Sequence, residues 1–230
     1  MFKEKIGLKK ENNNLKEQTQ IVLDGKHLTT SNVFKAASDF DVKVVVTQET
    51  ERSIVASRKT LNDFVKDGRI IYGVNTGVGG FVDWLVPNSY SEALQKNLIS
   101  AVATNVGEYL DDSISRAAMI IRLNSLARGT SAISIENFNK LLEIYNAGII
   151  PCIPSKGSLG ASGDLGPLAC IALVAIGEWK AKYKGEIISG KAALKKAGIE
   201  PMQLSFKEGL SLVNGTSVMT GLAAILIEQA

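Results

Sequence analysis

The stretch Gly157-Ser-Leu-Gly160-Ala161-Ser162-Gly163-Asp164-Leu165-Gly166-Pro167-Leu168-Ala169 changes character halfway along. Its first half is glycine and small polar side chains. Its second half opens an apolar run that continues to Gly177. Proline is tolerated in a first helical turn. The residues after Pro167 are apolar on every side, so this helix is predicted to be fully buried. The loop is therefore mounted at the start of a buried helix, and its glycines permit the tight turns that other residues resist.

On either side of this stretch the chain reads as mainly α. Apolar periodicity predicts helices over about Gln48 to Asp67, ending at Gly68, over Ser113 to Arg128, ending at Gly129, and over Glu136 to Asn146, ending near Gly148. Ser89-x-x-Glu92 has the form of a capping box. The residues that follow it, Leu94, Leu98, Ala101, Val102 and Asn105, are spaced to lie near one helix face. Ile21 to Leu23 before Asp24-Gly25, and Lys43 to Thr47, read as short strands. Lys180 to Ile188 reads as a hairpin, Lys191 to Ala197 as a short helix, and Thr216 to Ala230 as an apolar helix without a stop signal. Residues 1–19 are polar and are expected to form a mobile tail. The division expected is a tail over 1–19, one domain over 20–215, and the start of a helix bundle over 216–230.

Composition narrows the function. The 230 residues carry a net charge of +3 with the basic residues scattered among acids, so neither a nucleic-acid nor a membrane footprint is visible. The run from Pro167 to Gly177 falls short of the ~20 residues that span a bilayer. The N-terminus has no apolar signal core, which predicts a cytoplasmic protein. Cys152 and Cys170 lack metal-ligand spacing and are expected to be buried thiols, and His27 is the sole histidine. A His-based metal site or a Ser-His or Cys-His relay would have to use that one residue, in a polar, strand-like segment.

Several glycine patterns imitate nucleotide sites. Gly185 to Ala192 matches a P-loop except at Ala192, where a hydroxyl should hold magnesium, and a hairpin turn accounts for both its glycines. The dinucleotide fingerprint fails at Val82 in one loop and at Ser158 in the other. No nucleotide cofactor is expected.

Tyr72-Gly-Val-Asn-Thr-Gly77-Val-Gly79-Gly-Phe81, Leu94 to Leu98 (LQKNL), Arg122 to Ser134 (RLNSLARGTSAIS), GSLGASGDLGPLA and Asn214 to Ser217 (NGTS) occur in that order. In this combination the chain, from about His27 to its end, resembles the aromatic amino-acid ammonia-lyases and 2,3-aminomutases. These build a 4-methylidene-imidazol-5-one (MIO) electrophile from an Ala-Ser-Gly triplet. The resemblance implies the ammonia-lyase/fumarase-like helical fold, a homotetramer, and a helix bundle continuing past residue 230. That bundle supplies further site residues, so these 230 residues alone are expected to be inactive. A noncatalytic binding or assembly fragment is the alternative.

Ala161, Ser162 and Gly163 would form MIO: the Gly163 nitrogen, the least hindered available, attacks the Ala161 carbonyl, and Ser162 is dehydrated. Asp164 either assists proton movement or caps the buried helix. Tyr72 matches the family's base. A phenol ionises near pH 10 in water, so that role needs help such as helix dipoles. Gly77, Val78 and Gly79 would form a mobile loop over the site, with Val78 in place of an expected aromatic residue. Asn214 matches a substrate-contacting asparagine or is an Asn-Gly turn. Leu165 and Leu98 match ring contacts or pack in the core.

Family members acting on histidine or tyrosine carry a histidine at or beside the position of Ala101 or Val102. An Ala-Val wall would leave a buried ring hydroxyl or N–H unpaired at a cost of about 1–3 kcal/mol, so the expected substrate is L-phenylalanine. NTGVGGFVDWLVP and NLISAVATNVG look most like bacterial phenylalanine 2,3-aminomutases of antibiotic biosynthesis, with a phenylalanine ammonia-lyase as the alternative.

Overall fold

The computed structural model of the protein describes residues 19–158, 160 and 162–230. The expected polar tail lies outside the described residues up to position 18, and so does Ala161 of the triplet.

Strand β1 (Gln20–Leu23) pairs in parallel with β2 (Lys43–Val46), joined by helix α1 (Thr30–Ser38). Next come α2 (Gln48–Lys66), α3 (Ser91–Val102), β3 (Val106–Tyr109), α4 (Asp112–Ala127) and α5 (Ile135–Asn146). Strands β4 (Ile150–Pro151) and β5 (Pro154–Lys156) lead to α6 (Leu165–Ala175). The hairpin of β6 (Lys180–Tyr183) and β7 (Glu186–Ser189) pairs with β4, and β5 pairs with β3. Helices α7 (Gly190–Ala197), α8 (Glu208–Val213) and α9 (Ser217–Gln229) complete the order.

The core is helical. Ile120, Leu123 and Leu126 of α4 and Phe138, Leu141 and Ile144 of α5 are fully buried, and α6 is buried at every residue from Gly166 to Ala175, as its all-round apolarity predicts. Polar side chains complete the edges. The Asn146 amide donates to Val44 O at 2.8 Å and accepts from Val44 N at 2.9 Å, so it acts as a third strand beside β2. The buried Arg116 donates to Ala36 O at 2.7 Å and lies over the rings of Phe40 and Tyr145. Burial pushes the Tyr145 phenol up to about 12.

The predicted helices, the two strands and the hairpin are present. Gly68, Gly129 and Gly148 follow α2, α4 and α5 with positive φ. The lookalike P-loop is a hairpin turn through Lys184 and Gly185 followed by the Ser189 cap of α7. Helix α1 was not foreseen. Most of its nine residues are weak helix formers, and a Thr29–Asn32 capping box fixes its start. Helix α8, six residues long, was not foreseen either.

Three expectations need correction. Ser89 is not a helix cap: Asn88–Tyr90 forms a 3-10 turn, closed by Tyr90 N donating to Pro87 O at 2.9 Å, and α3 continues from it without a side-chain cap. The buried face of α3 carries Gln95 and Ile99 rather than Leu94, Leu98 and Ala101, and Asn105 lies beyond its end. His27 is an exposed turn residue after β1, bonded to Asp24, and is not in a strand. The span Glu208–Gln229 is also, by length and composition, apolar enough to cross a bilayer, unlike the shorter run at Pro167; 44% of its most apolar window is buried. Residues 214–216 interrupt it between α8 and α9.

Both cysteines are buried thiols, and burial pushes Cys170 up to about 12 and Cys152 upward. Because the thiolate is the nucleophile, iodoacetamide near neutral pH is expected to label neither thiol in the folded protein and both in guanidinium. Rapid labelling of Cys170 in the native state would show that α6 opens locally.

Candidate active site

Ser162, Gly163 and Asp164 form the last part of the loop that enters α6. Gly163 has φ +71°, a left-handed conformation that a side chain resists, and among the described residues nothing lies within 4 Å of where its Cβ would be. Asp164 N donates to Ser162 Oγ at 3.2 Å, and Gly166 N donates to Ser158 Oγ at 3.3 Å, which fixes the serine hydroxyls against the backbone.

Asp164 occupies the N-cap position of α6 but its side chain does not cap that helix. Its carboxylate, 5% exposed, accepts Val218 N at 2.7 Å and Met219 N at 3.0 Å, both in the first turn of α9. It therefore caps the helix 54 residues further on. The expectation that it caps α6 is corrected accordingly. Two helix N-termini, each carrying partial positive charge, thus begin around one buried acid. Hydrogen bonds to a charged group contribute about 1.5–3 kcal/mol each.

Two more helix ends, those of α3 and α8, flank or approach this point. Helices α3, α6 and α8 pack on one another. The carbonyl of Val102, the last residue of α3, lies 3.1 Å from where a Gly166 side chain would begin. Val102 and Leu165 are half-buried and pack on the core; Leu98 is half-buried and Ala101 is exposed. The structure therefore brings Val102 and Leu165 to the start of α6 and leaves Ala101 on the outer side of α3. Asn214 terminates α8 and its side chain is exposed, while its carbonyl accepts from Arg122 Nη1 at 2.9 Å. Through Gly215 and Thr216 it leads directly into the α9 turn that holds Asp164.

Tyr72 is half-exposed, and its hydroxyl oxygen accepts from Gly79 N at 3.0 Å. The root of its loop is fixed. Gly73 O accepts from Gln95 Nε2 at 3.1 Å, and Gln95 Oε1 accepts from Leu210 N at 3.2 Å. The loop then closes on itself, with Gly77 N donating to Trp84 O and Val86 N to Asn75 O, both at 2.9 Å. Gly77, expected in the mobile part, is buried; the exposed tip runs from Gly79 to Leu85.

Three positioning side chains escaped the sequence reading. Gln95 ties the Tyr72 loop to α8. Arg122, 4% exposed, donates to Ser211 O and Asn214 O. Glu208, 1% exposed, accepts from Ser134 N, Ser134 Oγ, Asn137 Nδ2 and Ser205 N at 2.7–2.9 Å. These bonds explain why RLNSLARGTSAIS and NGTS occur together: the first motif is the polar scaffold of the second. Among the described residues no cluster of His, Cys, Asp or Glu is arranged to hold a metal. The larger clefts, about 630 Å³ beside Phe40, Tyr109, Asp112 and Lys182 and about 650 Å³ beside Phe64, Arg69 and Lys207, are lined by none of the candidate catalytic residues.

Residues 28–230 match the family model described as aromatic amino acid lyase, and the chain belongs to that family. The histidine ammonia-lyase of Caldanaerobacter subterraneus subsp. tengcongensis is 44% identical over 211 residues, 92% of this chain and 41% of its own length. The fold superposes on the phenylalanine aminomutase of Pantoea agglomerans with a TM-score of 0.87 and 55% identity, covering 92% of this chain and 40% of that one. It superposes on the tyrosine aminomutase of Streptomyces globisporus with a TM-score of 0.85 and 35% identity, covering 92% and 39%. The chain spans about 41% of the length of the curated relatives it matches.

Replacing Asp164 by alanine leaves the Val218 and Met219 amides without their acceptor and is expected to cost about 1–3 kcal/mol in urea unfolding. Asp164→Asn, which keeps an acceptor, should cost less. An alanine variant as stable as the parent would mean that the bridge between α6 and α9 contributes nothing.

Proposed function

We propose that this chain carries the electrophile-bearing part of a 2,3-aminomutase that converts L-phenylalanine to β-phenylalanine through cinnamate. The observation that carries the reading is the approach of Val102, at the end of α3, to the start of α6, where Ser162 and Gly163 lie: an apolar side chain that offers a substrate ring no polar partner. The 55% identity to a phenylalanine aminomutase supports it. A homotetrameric, cytoplasmic enzyme belongs to the same proposal.

The described residues fit an MIO group. Gly163 is already in the left-handed conformation and open on its Cβ side, Ser162 presents the hydroxyl to be lost, and Asp164 is held beside both. Once formed, MIO supplies an electrophile that makes the substrate amine a leaving group. Tyr72 takes the Cβ proton; its phenol oxygen is held in one place by the Gly79 amide, as proton abstraction requires. The N-termini of α6 and α9 favour negative charge developing near that proton transfer. Val102, Leu165 and Leu98 form the apolar wall for the ring, with Ala101 at its outer edge, and the exposed Asn214 amide reaches the substrate. The exposed tip of the Tyr72 loop, from Gly79 to Leu85, covers the bound amino acid and excludes water.

A second reading is a phenylalanine ammonia-lyase that releases ammonia and cinnamate. The identity to curated ammonia-lyases favours it. Histidine as substrate is disfavoured, because neither Ala101 nor Val102 can pair with an imidazole N–H.

The test is intact mass and product analysis of the full-length enzyme. Loss of two waters lowers the mass by ~36 Da. The deficit is expected in the 161–163 peptide, to vanish in Ser162→Ala, and to take turnover with it; full activity of Ser162→Ala sinks the mechanism. β-Phenylalanine as product supports the mutase, and free cinnamate with ammonia supports the lyase. Val102→His should raise the tyrosine-to-phenylalanine ratio of kcat/KM by roughly 10-fold. An unchanged ratio would mean that the ring faces another wall.

A further inference from the structure

Arg122 is a buried guanidinium without a carboxylate. Burial pushes its pKa down to about 10, and among the described residues it makes no ion pair and its Nε finds no hydrogen-bond partner. Removing a charge from water in this way is unfavourable unless the group's N–H donors are needed where they are. Both terminal nitrogens go to main-chain carbonyls of one short segment, Ser211 O and Asn214 O, at the end of α8. Those carbonyls lie in the last turn of a helix, where no intrahelical donor remains for them.

The fit is close. A methyl group on Gly215 would collide with Arg122 Nη1, so this glycine is required by the guanidinium lying across the turn rather than by an unusual φ. The same segment is held from its other side, where Ser211 Oγ donates to Ser131 O at 2.7 Å. Two residues beyond Gly215, α9 begins and gives its first amides to Asp164. Arg122 thus grips a turn with Asn214 at one end and the Asp164 clamp at the other.

We propose that Arg122 is the positioning residue for Asn214: its guanidinium fork fixes the turn so that the Asn214 amide stands at a set place relative to Ser162 and Asp164. This rests on the reading of Asn214 as a substrate contact given above. Arg122 touches no substrate itself. Lysine at 122 would keep the charge but not the fork, since an ammonium cannot present two parallel N–H groups to two carbonyls in fixed geometry.

The test is a double-mutant cycle in the full-length enzyme with L-phenylalanine as substrate. Arg122→Lys is expected to lower kcat/KM by ~10-fold, and by less than ~2-fold once Asn214→Ala is present, because a residue acting through Asn214 has nothing left to position. Amide hydrogen exchange over residues 208–217 should accelerate in Arg122→Lys while the mass deficit at 161–163 is retained. Gly215→Ala, which crowds the guanidinium without removing its charge, should reproduce both effects and serves if Arg122→Lys does not fold. Equal losses from Arg122→Lys with and without Asn214→Ala overturn the inference about Arg122 alone. Undiminished turnover in Asn214→Ala overturns the reading of Asn214, and this inference with it.

Discussion

One carboxylate links the loop that enters α6 to the helix α9. Asp164 ends the loop that carries Ser162 and Gly163, and it accepts the first amides of α9, a helix that packs along α4. Helix N-termini repel one another electrostatically unless something negative stands between them. The carboxylate fills that place while satisfying two amides that the helix itself leaves open. Because α6 is buried from Gly166 to Ala175, the loop before it starts from a fixed point. Asp164 then fixes that loop to α9, so Ser162 and Gly163 lie between the helix they lead into and the helix that Asp164 caps.

Around this clamp the polar interior follows one rule: buried side chains hold main-chain groups that helix ends and loops leave unpaired. Arg122 takes the carbonyls at the end of α8, Glu208 takes amides of the 134 and 205 segments, and Gln95 joins the Tyr72 loop to α8. Among the described residues none of the three sits in an ion pair. Each fixes backbone rather than another charge, which suits segments that are too irregular for a ladder and yet must not drift.

Much of this was legible in the sequence, for reasons that also explain what was not. The all-round apolarity after Pro167 identified a buried helix, and glycines after α2, α4 and α5 marked their ends. The motifs in their order identified the family, to which the chain belongs. The partners of Asp164 were not legible, since they lie 54 and 55 residues away and are backbone amides that leave no trace in residue type. Gln95 misled directly. A polar residue in the buried stripe of α3, between the half-buried Leu94 and Leu98, shifts the apparent apolar face by one position. Helix α8, six residues long, is too short to display a period, and α1 is built mostly from weak helix formers.

The arrangement divides the candidate site into a fixed half and a hinged half. The ends of α3, α6, α8 and α9 form the fixed half, each continuous with the main core. The Tyr72 loop is different. Its root is held by Gln95 and by Val74, which belongs to a small separate cluster with Leu61, Val65 and Ala132. Its outer part is closed by its own hydrogen bonds and by the edge-on packing of Phe81 against Trp84. A segment bonded mainly to itself can move as a unit about its root while losing few contacts to the rest. The Gly79 amide that holds the Tyr72 hydroxyl lies inside that unit, so the phenol and its donor travel together. Under the proposed function, a base carried in this way would keep its own geometry as the loop moved, and only its distance to the fixed half would change.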